Sequence, residues 1–255
     1  MLKVSRLSIG ALLLYASTTI AQISYDYVPN LQLNSKGGVE VPSQLKRAFL
    51  IDAARLSLRT QEEWSNQSVE LPKMQVQLYH NLLLNIYQQD DLARRISNCN
   101  IHTTSNLSVD YLEMIYDRDA TWAKPLKEGV NATDNSVLNK LIEKYDLIID
   151  SYQEVDNQRS RLVIRSVEPI NMAAIANQLY EIKEVKKINL NSRETSISDI
   201  KVQPSTDGWQ VVYLIKFKEG NTIQQHSWIY KVYKNGTVEF LAEAGAPIPS
   251  SISCF

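Results

Sequence analysis

Between Leu107 and Leu190 the apolar residues change period repeatedly, and this ordered switching constrains the fold more than any other feature of the chain. Val109, Tyr111, Glu113 and Ile115 alternate with Asp110, Leu112, Met114 and Tyr116. That two-residue period predicts a strand buried over much of both faces. A linking segment with Trp122 and Gly129 follows. Asp134 or Ser136 then stands where a helix cap is wanted, ahead of Val137, Leu138, Leu141, Ile142 and Tyr145 at helical spacing. Leu147 to Tyr152 reads as a strand, Val155-Asp156-Asn157-Gln158 as a turn, and Leu162-Val163-Ile164 as part of the next strand. Pro169 ends it, Asn171 caps a helix carrying Ile175, Leu179 and Ile182, and Val185 to Leu190 makes a last strand. The order is β-α-β-β-α-β, the split βαβ or ferredoxin-like arrangement.

Two other regions flank this unit, and together they predict an α+β protein. Upstream, Leu45, Phe49, Ala53 and Leu56 form one apolar stripe at helical spacing, with Ser43 as its cap and Arg47, Asp52, Arg55 and Arg59 mostly off it. A second helix starts near Pro72, a favoured first-turn position, and carries Met74, Leu78, Leu82 and Ile86, widened by Val76, Tyr79, Leu83 and Tyr87. The two predict a helical hairpin. Asp90-Asp91 caps a short third helix through Leu92 and Ile96. Downstream, Trp209 to Phe217, His226 to Tyr233 and Thr237 to Leu241 alternate, separated by Gly220-Asn221 and by Asn235-Gly236, a strong hairpin signal. They predict an antiparallel meander with Trp228, Tyr230 and Val232 on one face. The resulting division is a leader over 1–21, an extended lead-in over 22–41, a helical region over 42–106, the α+β unit over 107–191, and the meander with its tail over 192–255.

The leader places the chain. Lys3 and Arg6 precede the apolar run Leu7 to Tyr15, and small residues lead to Ala21. This is the pattern of a secretory signal cut before Gln22, for a secreted or periplasmic protein. An uncleaved anchor is the rival reading, but a spanning helix wants roughly 20 mainly apolar residues. Without Lys3 and Arg6 the 27 basic residues become 25 against 28 acidic ones, a net charge of −3. That balance gives no electrostatic footprint for nucleic acid or acidic lipid. Cys99 and Cys254 are the two cysteines of the chain. In an oxidising compartment they make either one bridge or two unpaired thiols. A bridge would close a loop worth roughly 4–5 kcal/mol.

The stretch Leu162 to Asn191 adds a resemblance. A strand leads to Glu168-Pro169-Ile170-Asn171, then to the helix Ala173-Ala174-Ile175-Ala176-Asn177-Gln178-Leu179, then to Ile182-Lys183-Glu184-Val185-Lys186-Lys187-Ile188-Asn189. This resembles the propeptide or inhibitor module of subtilisin-like serine proteases, over roughly residues 107–191. More broadly, the chain is similar to secreted bacterial proteins of uncharacterised role that carry this segment without a protease domain. The family's usual Glu-Pro-Asn ending is replaced by Ile188-Asn189-Leu190. In that family the chain after the last strand enters the protease cleft, which implies Asn189, Leu190, Asn191 and Ser192 as partner-binding residues. With 65 residues after Leu190, no protease domain is expected to follow. Taken as functional, the resemblance implies a stand-alone inhibitor or chaperone of a subtilisin-like protease; taken as architectural, it says nothing of function.

Chemistry-bearing motifs are sparse. His80, His102 and His226 form no H-x-x-x-H pair and no H-E-x-x-H. Phosphate-loop, dinucleotide and G-x-S-x-G patterns are absent. No cofactor or metal is expected from these patterns. Cys99 and His102 are close enough in sequence for a thiolate–imidazole pair, against the plainer reading of a loop histidine. Asp117-Arg118-Asp119 reads as a solvated turn with a local Arg pair. Trp209, Tyr213, Trp228, Tyr230 and Phe240 concentrate aromatics on the meander, either as core or as a binding platform with Trp228 in contact with a partner. Sequons at Asn66, Asn106, Asn131 and Asn235 matter only in a glycosylating host. The expected function is a non-catalytic module that binds a protein or peptide through a sheet surface or edge. A hydrolase with a dispersed site, drawing on Cys99, His102 or a carboxylate pair, is the opposing expectation.

Overall fold

The computed structural model describes residues 38–59, 68–104, 108–190, 197–250 and 252. The leader, most of the lead-in, Asn66, Asn106, Asn191, Ser192 and Cys254 lie outside the described residues. Among the described residues there are six helices and two four-stranded antiparallel sheets.

The first half of the chain opens with α1 (Ser43–Arg59), α2 (Lys73–Gln89) and α3 (Asp91–Ile96), followed by a 3-10 turn over Ser97–Cys99. Asp90 caps α3, its carboxylate accepting the Ala93 N–H at 2.7 Å. Pro72 sits at the cap position of α2, just outside the helix, and its carbonyl accepts from the N–H groups of Gln75 and Val76. Met74 is 60% exposed, so the apolar stripe of α2 begins a turn later than its spacing predicts.

The first sheet is built from β1 (Tyr111–Asp117), β2 (Leu147–Glu154), β3 (Arg159–Ser166) and β4 (Val185–Asn189), in the order β2-β3-β1-β4. Every neighbouring pair is antiparallel. Between these strands lie α4 (Lys124–Lys127), α5 (Ser136–Tyr145) and α6 (Met172–Leu179). Leu112, Met114, Tyr116, Leu162 and Ile164 pack with Leu138 of α5 and with Ile175 and Leu179 of α6 in one core. The cap of α5 is Asn135, which accepts from the Leu138 N–H at 2.9 Å, rather than Asp134 or Ser136. Asn171 caps α6 through the Ala173 N–H. In β1 the alternation is one-sided: Leu112, Met114 and Tyr116 are buried, while Tyr111, Glu113 and Ile115 stay half-buried on the open face. Arg118 pairs with Glu154 at 2.6 Å and Asp117 with Lys186 at 2.8 Å, so this turn is tied to other strands rather than to itself.

The second sheet is a meander of β5 (Ser198–Ser205), β6 (Gly208–Glu219), β7 (Thr222–Tyr233) and β8 (Val238–Gly245), paired in chain order. β5, which contains Pro204, is an edge strand without a clear sequence signal. Its sheet does not form a separate layer. Val211, Trp228, Tyr230 and Val232 share one buried core with Phe49, Ala53 and Leu56 of α1 and with Leu82, Leu83 and Ile86 of α2. The helical region and the meander, which read as separate stretches in the sequence, are thus halves of one hydrophobic core, and the unit of β1–β4 is inserted between them. The second face of α1 is also covered: Ile51, Ala54 and Leu58 pack with Leu71 and Val109. Among the described residues no helix is long and apolar enough to cross a membrane.

Candidate functional site

The burial of α1 on two sides forces a polar group inside. Asp52, off the predicted apolar stripe, is 0% exposed. A buried carboxylate must be matched by donors, and the donors come from a segment about fifty residues later. Asn100 adopts the left-handed conformation at φ 53°, which Asn tolerates, and ends the 3-10 turn. The chain then doubles back as Ile101 to Thr104. The Thr103 N–H donates to Asp52 Oδ1 at 2.7 Å, and His102 Nδ1 donates to Asp52 Oδ2 at 3.0 Å. The same segment is tied to β5: the His102 N–H donates to Ser198 Oγ at 3.1 Å and the Thr104 N–H to Asp199 Oδ1 at 3.0 Å. Arg59, at the end of α1, closes the arrangement with an ion pair to Asp199 at 2.7 Å and a hydrogen bond to the Ile200 carbonyl at 3.1 Å.

A cleft of about 390 Å³ opens beside this network. It is lined by the first half of α1, by Tyr87 of α2, by Ala93 of α3, by residues 96–98 and 100–102 and by Tyr213 of β6. Leu45, Ala48, Ile96 and Ile101 supply apolar wall, and the rings of Phe49 and Tyr87 meet edge-on at 6.0 Å. Gln44, Asn98 and Asn100 supply amides. None of the described lining residues is Lys, Arg, Asp or Glu.

Two side chains decide what the cleft can do. His102, which lines it, has its second nitrogen 2.9 Å from Asn100 Oδ1. Both ring nitrogens are engaged, Nδ1 by the Asp52 carboxylate and Nε2 by the Asn100 side chain. A ring held at both nitrogens presents neither of them to a ligand. Asp52 orients the ring as in a hydrolytic dyad, but Nε2, which would act as the base, is taken up by Asn100. Tyr213 is 6% exposed, and its hydroxyl makes no hydrogen bond to a described residue. Burial and then the negative charge of Asp52 push its pKa upward, so the group stays a protonated donor.

The residues singled out in the sequence are scattered by comparison. Cys99 packs half-buried against the core shared by α1, α2 and the second sheet, and no described cysteine is free. It is not among the residues that line the cleft. The Cys99–Cys254 pairing lies outside the described residues at its second end. Trp228 is fully buried in the shared core, on the inner face of β7, which corrects its assignment as a partner contact. Tyr230, Tyr213 and Trp209 face the same way and are buried too. Asn189 donates to Glu113 Oε1 at 2.9 Å on the first sheet, and Leu190 packs half-buried on that sheet's core. His80 contacts the Lys46 carbonyl at 3.2 Å, and burial lowers its pKa. His226 donates from Nδ1 to the Ala246 carbonyl at 2.8 Å and holds the tail against β7. Among the described residues no cluster of three His, Cys, Asp or Glu is placed to hold a metal ion.

Asp52 and Asn100 were missed as site residues, and Tyr213 was named only as one of five meander aromatics, either core or binding platform. The one signal in the sequence was Asp52 itself, an acid flanked by Ile51 and Ala53-Ala54 inside a helix. No protein-family model, no curated protein and no solved structure matches this chain.

Proposed function

We propose that this chain is a secreted, non-catalytic module that binds a protein or peptide. The observation that carries the reading is the pairing of a histidine engaged at both nitrogens with an unpartnered, protonated tyrosine in one cleft. That combination holds a ligand and does not turn it over. The signal over residues 1–21 belongs to the same reading, with the mature chain starting at Gln22. The inserted unit is a ferredoxin-like fold. Its antiparallel order β2-β3-β1-β4, with α5 and α6 between the strands, supports that identification. The pair α1 and α2, packed through Phe49, Ala53, Leu82 and Ile86, acts as a helical hairpin.

Selection of a random displayed peptide library on the immobilised protein tests the reading. Enrichment of a shared consensus is expected. A protein that enriches nothing, yet hydrolyses an ester or amide substrate in a manner abolished by His102→Ala, would be the hydrolase of the opposing reading. A second reading, an inhibitor or chaperone of a subtilisin-like protease, draws on the same strand order and on Leu190 at the exit of β4. It requires inhibition of such a protease that Leu190→Asp weakens.

A further inference from the structure

We propose that the cleft between α1, α2 and residues 96–102 takes an uncharged peptide segment, with an apolar side chain against Phe49 and Tyr87 and a backbone carbonyl accepting from the Tyr213 hydroxyl. This rests on the binding reading above and names its ligand and its place.

Three observations select that chemistry. The first is charge. The described lining has no Lys, Arg, Asp or Glu, and the Asp52 carboxylate beside it is already matched by His102 and the Thr103 N–H. A charged ligand group entering the cleft would lose hydration without gaining a counter-ion. The second is the donor. A tyrosine more than nine-tenths buried, without a described partner, leaves a hydroxyl that only an acceptor from outside can satisfy. The third is the mouth. Gln44 and Asn98 are exposed there, each with an amide that both donates and accepts, as a peptide group does. A purely apolar molecule would leave these amides and the Tyr213 hydroxyl unmatched. The volume, about 390 Å³, falls in the range of ligand pockets rather than packing defects.

The test is a saturation-transfer NMR titration on the protein as its cells process it. The uncharged probe is acetyl-alanyl-leucyl-phenylalanyl-alanine amide, and the charged probe has aspartate in place of leucine. Two variants locate the site: Tyr213→Phe removes the donor alone, and Ala48→Trp fills the cleft from α1. The uncharged probe should bind, Tyr213→Phe should weaken it about fivefold, as for one neutral hydrogen bond, and Ala48→Trp should abolish it. Circular dichroism and melting temperature establish that both variants are folded. The charged probe should bind at least tenfold more weakly. Absence of transfer at millimolar probe, or equal binding of the two probes, overturns the proposal. Library-selected peptides that bind Ala48→Trp as well as the parent would also overturn it, while leaving the binding reading in place.

Discussion

Replacing Asp52 by two different residues separates the physical roles assigned to it. In Asp52→Ala the Thr103 N–H loses its acceptor inside the protein, and His102 Nδ1 loses its carboxylate partner. Removing one member of a buried charge pair costs about 3–5 kcal/mol. For a chain of this size that lowers the melting temperature by roughly 6–20 °C. Asp52→Asn has a different outcome. Its amide oxygen can still accept from Thr103, and its amide nitrogen can donate to His102 Nδ1 when the ring carries its proton on Nε2, facing Asn100. The loss is then that of charge assistance in two hydrogen bonds, about 1–2 kcal/mol. Urea unfolding followed by circular dichroism and tryptophan fluorescence measures both. An alanine cost below about 1 kcal/mol, or an asparagine cost equal to that of alanine, would refute the assignment of Asp52 as the matched centre of the network.

Trp228→Ala should destabilise by about 3–5 kcal/mol, measured by urea unfolding, because the ring is fully buried in the core shared by helices and sheet; a surface-like cost under about 1 kcal/mol contradicts that placement. His80 gives a pH prediction. Burial, opposed by its contact with the Lys46 carbonyl, lowers its pKa below the ordinary 6.5. The unfolded chain therefore takes up the proton first, so this contribution is full above about pH 6.5 and is lost as pH falls toward the folded-state pKa. His80→Gln should flatten the decline in stability between pH 7 and pH 5, and an unchanged slope would contradict the assignment. We also propose that Cys99 and Cys254 form one bridge. Both should resist alkylation in unfolded protein until reduced, and reduction should lower stability by up to roughly 4–5 kcal/mol. Alkylation of two thiols without reductant would exclude the bridge.

Much of the secondary structure was legible because it follows from short-range spacing. The strands β2 and β3 and their four-residue turn, the Asn171 cap of α6 and the hairpin at Asn235-Gly236 are each written in a short local stretch of sequence. The failures have equally local causes. Asn135 took the α5 cap from Asp134 and Ser136, because any of three adjacent polar residues satisfies the pattern and the backbone entry angle chooses among them. β5 gave no alternation to read, since an exposed edge strand with Pro204 needs no regular apolar face.

The site was illegible for a different reason. Its parts come from α1, from the turn after α3 and from β6, and only the shared core brings them together. A stripe of apolar residues shows which face of α1 is buried first, but not that the opposite face is buried as well, against Leu71 and Val109. Once both faces are covered, Asp52 has to be satisfied from within, and the left-handed Asn100 turns His102 and Thr103 toward it. Closing that hydrogen-bond network fixes the course of residues 100–104 beside β5 and forms one wall of the cleft. The return of the meander then brings Tyr213 to the cleft with its hydroxyl unspent. The insertion of the β1–β4 unit separates these segments by more than a hundred residues in sequence while leaving them adjacent in the core. A local pattern has no access to such a site; the inference requires the double burial of one helix.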